Sequence, residues 1–262
     1  MMRKFRIFLM PLIFAMPAQL SAQAVVDGAS APAKDIAAAL MPQSVDGFYI
    51  RMRMETSGGG QPNSVLQVQV KGRRIDGAVD LLYQIQYPRN RQGEGVLIRW
   101  KNGRFAGGHT CRPGGVPERL DVKDLFQPVF GTALNYHDTN LGFWGWGKTS
   151  DKGSEEMMGV DCRVIDLEPA GRPPGYRRVR CWIDKARLVP MQIQKYTANG
   201  LSLVIRTDDI ARADDGRFVA REYTLIRPGG APTTKITGTR YELQEYPASQ
   251  FTPEAMREIM PK

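Results

Sequence analysis

The sequence predicts a mainly β protein: one large antiparallel sheet of about ten strands, long enough to curl, with helices available to cover its open side. Three observations carry this. Apolar and polar residues alternate with period two in about ten segments between Gly47 and Leu243. Turn chemistry separates those segments, as at Asn102-Gly103, Asn199-Gly200 and Asp214-Asp215-Gly216. A single irregular stretch of about 40 residues, 112–153, interrupts the alternation, and long ordered inserts are more often functional than decorative.

The chain opens on a targeting segment. Arg3, Lys4 and Arg6 are a basic start, 7–16 is an apolar run broken only by Pro11, and Ala22-Gln23-Ala24 is a small-x-small cleavage site. The apolar run of about 10 residues is too short for a bilayer, which needs about 20. No cysteine lies near the cleavage site to take a lipid. The expected organisation is therefore a signal peptide over 1–24 and one domain over 25–262, exported without a stable membrane anchor. Of 262 residues, 238 remain after removal of those 24. That is an ordinary single-domain length for a β protein, with room for a sizeable core. The formal charge of +9 falls to +6 when the three basic leader residues go. The remaining Arg and Lys are scattered, not clustered with aromatics, so nucleic acid is not an expected partner.

Residues 33–41 carry Ile36, Ala37 and Leu40 on one face, the spacing of a short helix. Phe48, Ile50, Met52 and Met54 then alternate with polar residues. Leu66, Val68 and Val70 follow, then Val79, Leu81, Tyr83 and Ile85, then Val96, Ile98 and Trp100. Asn102-Gly103 turns the chain back at Phe105. In the insert, Val122, Leu125, Phe126 and Val129 fit one face of a short helix that Pro128 limits. Residues 134–147 then crowd Tyr136, Phe143, Trp144 and Trp146 among glycines. Alternation resumes at Val160, Cys162 and Val164, and continues through Val179, Cys181 and Ile183 and the strands at 189–197, 201–207, 218–227 and 233–243. The tail, 251–259, reads as a helix with Thr252 as N-cap and Pro253 at its first position.

Folding 160–183 about its central turn sets Cys162 opposite Cys181, with Val164 facing Val179 and Val160 facing Ile183. In an oxidising compartment that register predicts a Cys162–Cys181 disulfide and leaves Cys111 free.

Little asks for catalysis. His109 and Cys111 form a lone H-x-C pair, far from the four ligands a structural zinc takes, so neither metal nor cofactor is expected. His137-Asp138 has no nucleophile elbow or S-x-x-K beside it, and no phosphate-binding loop occurs. A filled barrel and an open apolar cleft account equally well for the inward apolar rows.

The order of elements resembles the LolA-like superfamily, the outer-membrane lipoprotein-sorting proteins of Gram-negative periplasms. The likeness spans nearly all of 25–262. It rests on the leader and first helix, the consecutive strands, and the aromatic insert with Asp124-Leu125-Phe126 and Leu134-Asn135-Tyr136-His137-Asp138. It continues through the hairpin from Gly175 to Asp184, the strand Leu188-Val189-Pro190-Met191-Gln192-Ile193-Gln194-Lys195-Tyr196, and Phe251-Thr252-Pro253. The resemblance implies an incomplete, curved antiparallel β-barrel with helices covering an apolar cavity, and a periplasmic carrier that binds lipoprotein or other lipid acyl chains there, without catalysis, for transfer towards the outer membrane. It also implies a membrane-protein donor or acceptor. Two rivals remain: a sensor module that reads a lipidated partner, and a secreted enzyme using the cleft around His137 and Asp138. In the carrier reading Phe48, Ile50, Met52, Leu81, Tyr83, Ile98 and Trp100 form the cavity floor. Leu125, Phe126, Phe130, Leu134, Tyr136, Leu141, Phe143, Trp144 and Trp146 form its lid.

Overall fold

In the computed structural model, residues 26–41, 46–171, 175–213 and 216–257 are described; the expected leader, 1–24, lies outside them. Among the described residues, one α-helix, α1 (Ala33–Leu40), precedes thirteen strands. They are β1 (Gly47–Ser57), β2 (Ser64–Ile75), β3 (Ala78–Tyr87), β4 (Gly95–Lys101), β5 (Arg104–Cys111), β6 (Glu118–Arg119), β7 (Lys148–Met157), β8 (Val160–Glu168), β9 (Arg178–Asp184), β10 (Pro190–Thr197), β11 (Gly200–Arg212), β12 (Phe218–Ile226) and β13 (Thr233–Leu243).

All thirteen form one antiparallel sheet in the order β6-β5-β4-β3-β2-β1-β13-β12-β11-β10-β9-β8-β7. Two meanders thus meet where β1 pairs with β13, and the sheet stays open between β6 and β7. The insert is the connection between those two free edges. It has to cross the concave side, which is why it is long and greasy.

Strand alternation sets the inner face. Ile50 faces Val70 and Met52 faces Val68 across β1 and β2, and Tyr83 faces Val96 across β3 and β4. Asn102 and Gly103 both take positive φ, 49° and 72°, the backbone a two-residue hairpin needs, and Lys101 duly pairs with Arg104. One contiguous core joins inward residues from both halves of the sheet, Ile98 and Ile165 among them, to α1 and to the insert.

Four expectations need correction. Strand β7 was not foreseen, because KTSDKGSEEM has no apolar alternation; it is an exposed edge strand protected by charge. The helix expected from Val122 onward is only a 3-10 turn, Val122–Asp124, opened by a capping box on Asp121. Beyond it Pro128 bridges to Asn135 and Phe130 adopts φ 55°, so the chain loops instead of coiling. The C-terminal segment is two 3-10 turns, Ala248–Phe251 and Ala255–Arg257, and not a helix from 251. Thr252 Oγ1 still accepts the Ala255 N–H, at 3.2 Å, and 258–262 lie outside the described residues.

The fourth correction is the disulfide. Cys111, Cys162 and Cys181 are all free thiols. In the β8–β9 ladder Cys162 faces Asp184 and Cys181 faces Ile165, three residues away from the expected register. An odd shift reverses the face. Cys181 lies in the main core, while Cys162 packs on the outer side with Val164, Trp182 and Met191. The physical reason is that β8 is apolar on both faces: Val160, Cys162 and Val164 alternate on one, Ile165 and Leu167 lie on the other. Alternation alone could not choose between them.

Candidate functional site

The insert begins as a loop and is drawn inward by its own backbone. Val129 N–H donates to Leu134 O at 2.7 Å, and His137 N–H donates to Leu125 O at 2.8 Å. A second 3-10 turn, Tyr136–Thr139, is closed by a reciprocal box. The Asn135 side chain accepts the Asp138 N–H at 2.9 Å, and Asp138 Oδ2 accepts the Asn135 N–H at 3.1 Å. A third turn, Gly142–Gly145, buries Phe143 and Trp144.

Side-chain bonds then fasten this plug to the sheet at widely separated strands. Trp100 Nε1, at the end of β4, donates to Thr139 Oγ1 at 3.0 Å. The Ala133 amide donates to Thr234 Oγ1 of β13 at 2.8 Å. Asn140 Nδ2 donates to Gly103 O at 2.8 Å, in the β4–β5 turn.

The strongest fastening is ionic and buried. Asp138 Oδ1 accepts from Tyr176 Oη at 2.8 Å and from Lys195 Nζ at 3.2 Å. Its Oδ2 pairs with the Arg227 guanidinium, which also donates through Nε to Ala133 O at 2.7 Å. Asp138 and Lys195 are each only 2 % exposed. Burial by itself raises the Asp138 pKa. The Lys195 ammonium, the Arg227 guanidinium and the Tyr176 hydroxyl outweigh it and hold the carboxyl below the ordinary range. Burial, and then the Asp138 charge, push the Tyr176 hydroxyl far up, so it stays a neutral donor. The Lys195 ammonium lies 5.2 Å from the Phe143 ring centroid and 5.1 Å from that of Tyr176.

Around this cluster stands an aromatic nest. The His137 ring lies 4.9 Å from Tyr176, 5.4 Å from Phe126 and 5.8 Å from Trp100. A Cβ on Gly175, where φ is 103°, would come within 2.4 Å of His137 Nε2, so only glycine lets the β8–β9 connection pass.

The structure brings most of the expected residues together. Phe48, Ile50, Met52, Leu81, Ile98, Trp100, Leu125, Phe130, Leu134, Tyr136, Phe143 and Trp144 share one core, with Tyr83, Leu141 and Trp146 packed against it and partly exposed. Phe126 does not join them; it is 44 % exposed and lies on the rim against His137 and Tyr176. Tyr83 is the informative exception. Protein surrounds it closely enough that burial pushes its hydroxyl pKa well up, yet the side chain keeps accessible surface.

Sequence reading missed Lys195, Tyr176 and Arg227. Lys195 carried a signal: it falls on the same side as Ile193, a charge in an inward row. Asp138 is committed to four donors, which leaves its carboxylate no role in activating a nucleophile. Among the described residues there is no group of three His, Cys, Asp or Glu placed to hold a metal ion, and no helix long and apolar enough to cross a membrane.

A family model described as that of an uncharacterized protein matches residues 115–258, more than half of the chain. No curated protein matches it in sequence. Three solved structures share the fold. A DUF1329 family protein from Desulfovibrio piger is 16% identical, with a TM-score of 0.74 over 86% of this chain and 97% of that one. A putative outer membrane lipoprotein-sorting protein domain from Vibrio parahaemolyticus is 17% identical, with a TM-score of 0.74 over 86% and 98%. A LolA superfamily protein from Nitrosomonas europaea is 17% identical, with a TM-score of 0.68 over 86% and 100%. At such identities the likeness is one of fold. The chain belongs to this family of uncharacterized proteins, and its fold is similar to those of the putative lipoprotein-sorting domain and the LolA superfamily protein.

Proposed function

We propose that the protein is a periplasmic carrier that holds lipid or lipoprotein acyl chains inside its open barrel and delivers them towards the outer membrane without catalysis. The observation that carries this reading is the insert. It spans the two free edges of the sheet, presents its aromatics to the apolar face, and is fastened to the strands by a few specific polar bonds. The names of the Vibrio and Nitrosomonas neighbours support a role in lipoprotein sorting. In this reading a chain would lie between the floor residues of β1, β3 and β4 and the lid from Leu125 to Trp146. Each buried CH₂ contributes about 0.8 kcal/mol, so one acyl chain supplies ample binding energy. Residues 1–24 act in this reading as the export signal, leaving 25–262 as one domain. Loading and unloading fall to membrane proteins at either side.

The test is mass spectrometry of organic extracts from protein purified out of its native periplasm. Stoichiometric fatty-acylated species are expected. Extracts equal to those of an unrelated periplasmic protein would contradict the reading.

A further inference from the structure

The sheet is not paired evenly. β12 and β13 share only four facing pairs, from Glu222–Thr237 to Leu225–Thr234. Beyond them the two strands part. Residues 218–220 keep their pairing to β11 on one side, and Gly238 and 240–243 keep theirs to β1 on the other. Both strands carry an extra residue where they separate. Arg221 is skipped between Glu222 and Ala220 in the β11 ladder, and Thr239 is skipped between Gly238 and Arg240 in the β1 ladder. Bulges bend strands and end pairing, so the split is built into both edges. It also lies at the end of the sheet away from the plug. Ala133 and Arg227 tie the insert to the paired end, at Thr234 and Ser202.

The split gives onto the interior. Ala220, Tyr223 and Tyr241 belong to the same core as Ile50 and Met52, and Tyr241 stands opposite Ile50. The Tyr241 hydroxyl is buried and has no hydrogen-bond partner among the described residues, an arrangement that costs stability unless something else supplies one.

Resting on the carrier reading, we propose that the β12–β13 split is the side portal through which an acyl chain enters and leaves the barrel. The Tyr241 hydroxyl donates to the carbonyl or carboxyl oxygen at the head of that chain. The plug then closes one end of the barrel permanently, and traffic passes through the wall. A pure hydrocarbon would leave the hydroxyl unmet; an acyl group meets it.

The experiment joins the two lips. Arg221→Cys with Thr239→Cys, both exposed positions, is bridged by a short cleavable bis-maleimide; the native thiols at 111, 162 and 181 are buried. Glu222→Cys with Thr237→Cys, a facing pair in the zipped part, is the control. Entry and exit of a fluorescent fatty acid are followed by stopped flow. The bridge at the lips is expected to slow both by about tenfold or more, with affinity little changed and rates restored on cleavage; the control bridge is expected to alter neither. Normal affinity with unchanged rates would overturn the portal while sparing the carrier reading, and would leave the free backbone edges to a peptide strand. No probe binding by the uncrosslinked wild type would overturn both. Tyr241→Phe is expected to weaken fatty-acid binding about threefold to tenfold, the worth of one hydrogen bond, and to leave an alkyl probe unaffected. Equal effects on both probes would remove Tyr241 from the portal.

Discussion

Lys195 and Asp138 form a buried ion pair, Nζ to Oδ1 at 3.2 Å, between a strand in the second half of the sheet and the turn at the centre of the insert. Arg227 completes it from beyond β12. The enclosed charges are two positive and one negative, with a neutral tyrosine donor beside them. The insert is thus held by a charge that two strands require, as well as by apolar packing.

Replacing Asp138 by Asn leaves Lys195 and Arg227 buried without their counter-charge. The expected loss is about 3–5 kcal/mol in unfolding free energy, measured by urea titration. Lys195→Met is expected to cost clearly less, because Arg227 still neutralises Asp138. Equal losses would mean that the pair does not act through charge.

The same pair sets a pH dependence. The Asp138 carboxyl is held below its unfolded value, so its stabilisation is fully present above the ordinary carboxylate pKa, about 3.9, and is lost as pH falls through the lower folded value. Stability of the wild type should therefore fall below about pH 4 more steeply than that of Asp138→Asn. Parallel curves would contradict the assignment.

Period-two rows made the inner face legible from Phe48 to Trp100, because the outer positions of those strands are mostly polar, as at Gln69, Lys71, Asp80 and Gln84, even though the fold buries these four as well. The register of β8 and β9 was illegible for the opposite reason: β8 is apolar on both sides, and no local rule separates Cys162 from Ile165. The insert's aromatics announced themselves by composition. Their anchor did not, since Asp138, Tyr176, Lys195 and Arg227 meet only once β9, β10 and the end of β12 are assembled. Strand β7 escaped because an edge strand guarded by lysine and glutamate looks like a loop. The parting of β12 from β13 depends on bulges at Arg221 and Thr239, which leave no mark on alternation.

Within the lid, burial separates the roles. Trp144→Ala should cost about 3–5 kcal/mol, as truncation of a fully buried aromatic does. Phe126→Ala, on the rim, should cost less than about 1 kcal/mol. Denaturant midpoints of the two variants, read against wild type, check this; similar losses would place Phe126 inside the core.

The thiols offer a check on register. Burial pushes the Cys162 thiol up to about 11 and the Cys181 thiol well above its ordinary value. Ellman titration of the unreduced protein in guanidinium should find three reactive thiols, and almost none while it is folded. Only one thiol after unfolding would mean that Cys162 and Cys181 are bridged after all.

The carrier claim is tested most directly by titrating the purified, delipidated protein with a diacylated lipopeptide and its unacylated counterpart in a calorimeter. Saturable one-to-one binding of the acylated form, with a negative heat-capacity change and no binding of the bare peptide, is the predicted result. Equal binding of both, or of neither, would contradict it.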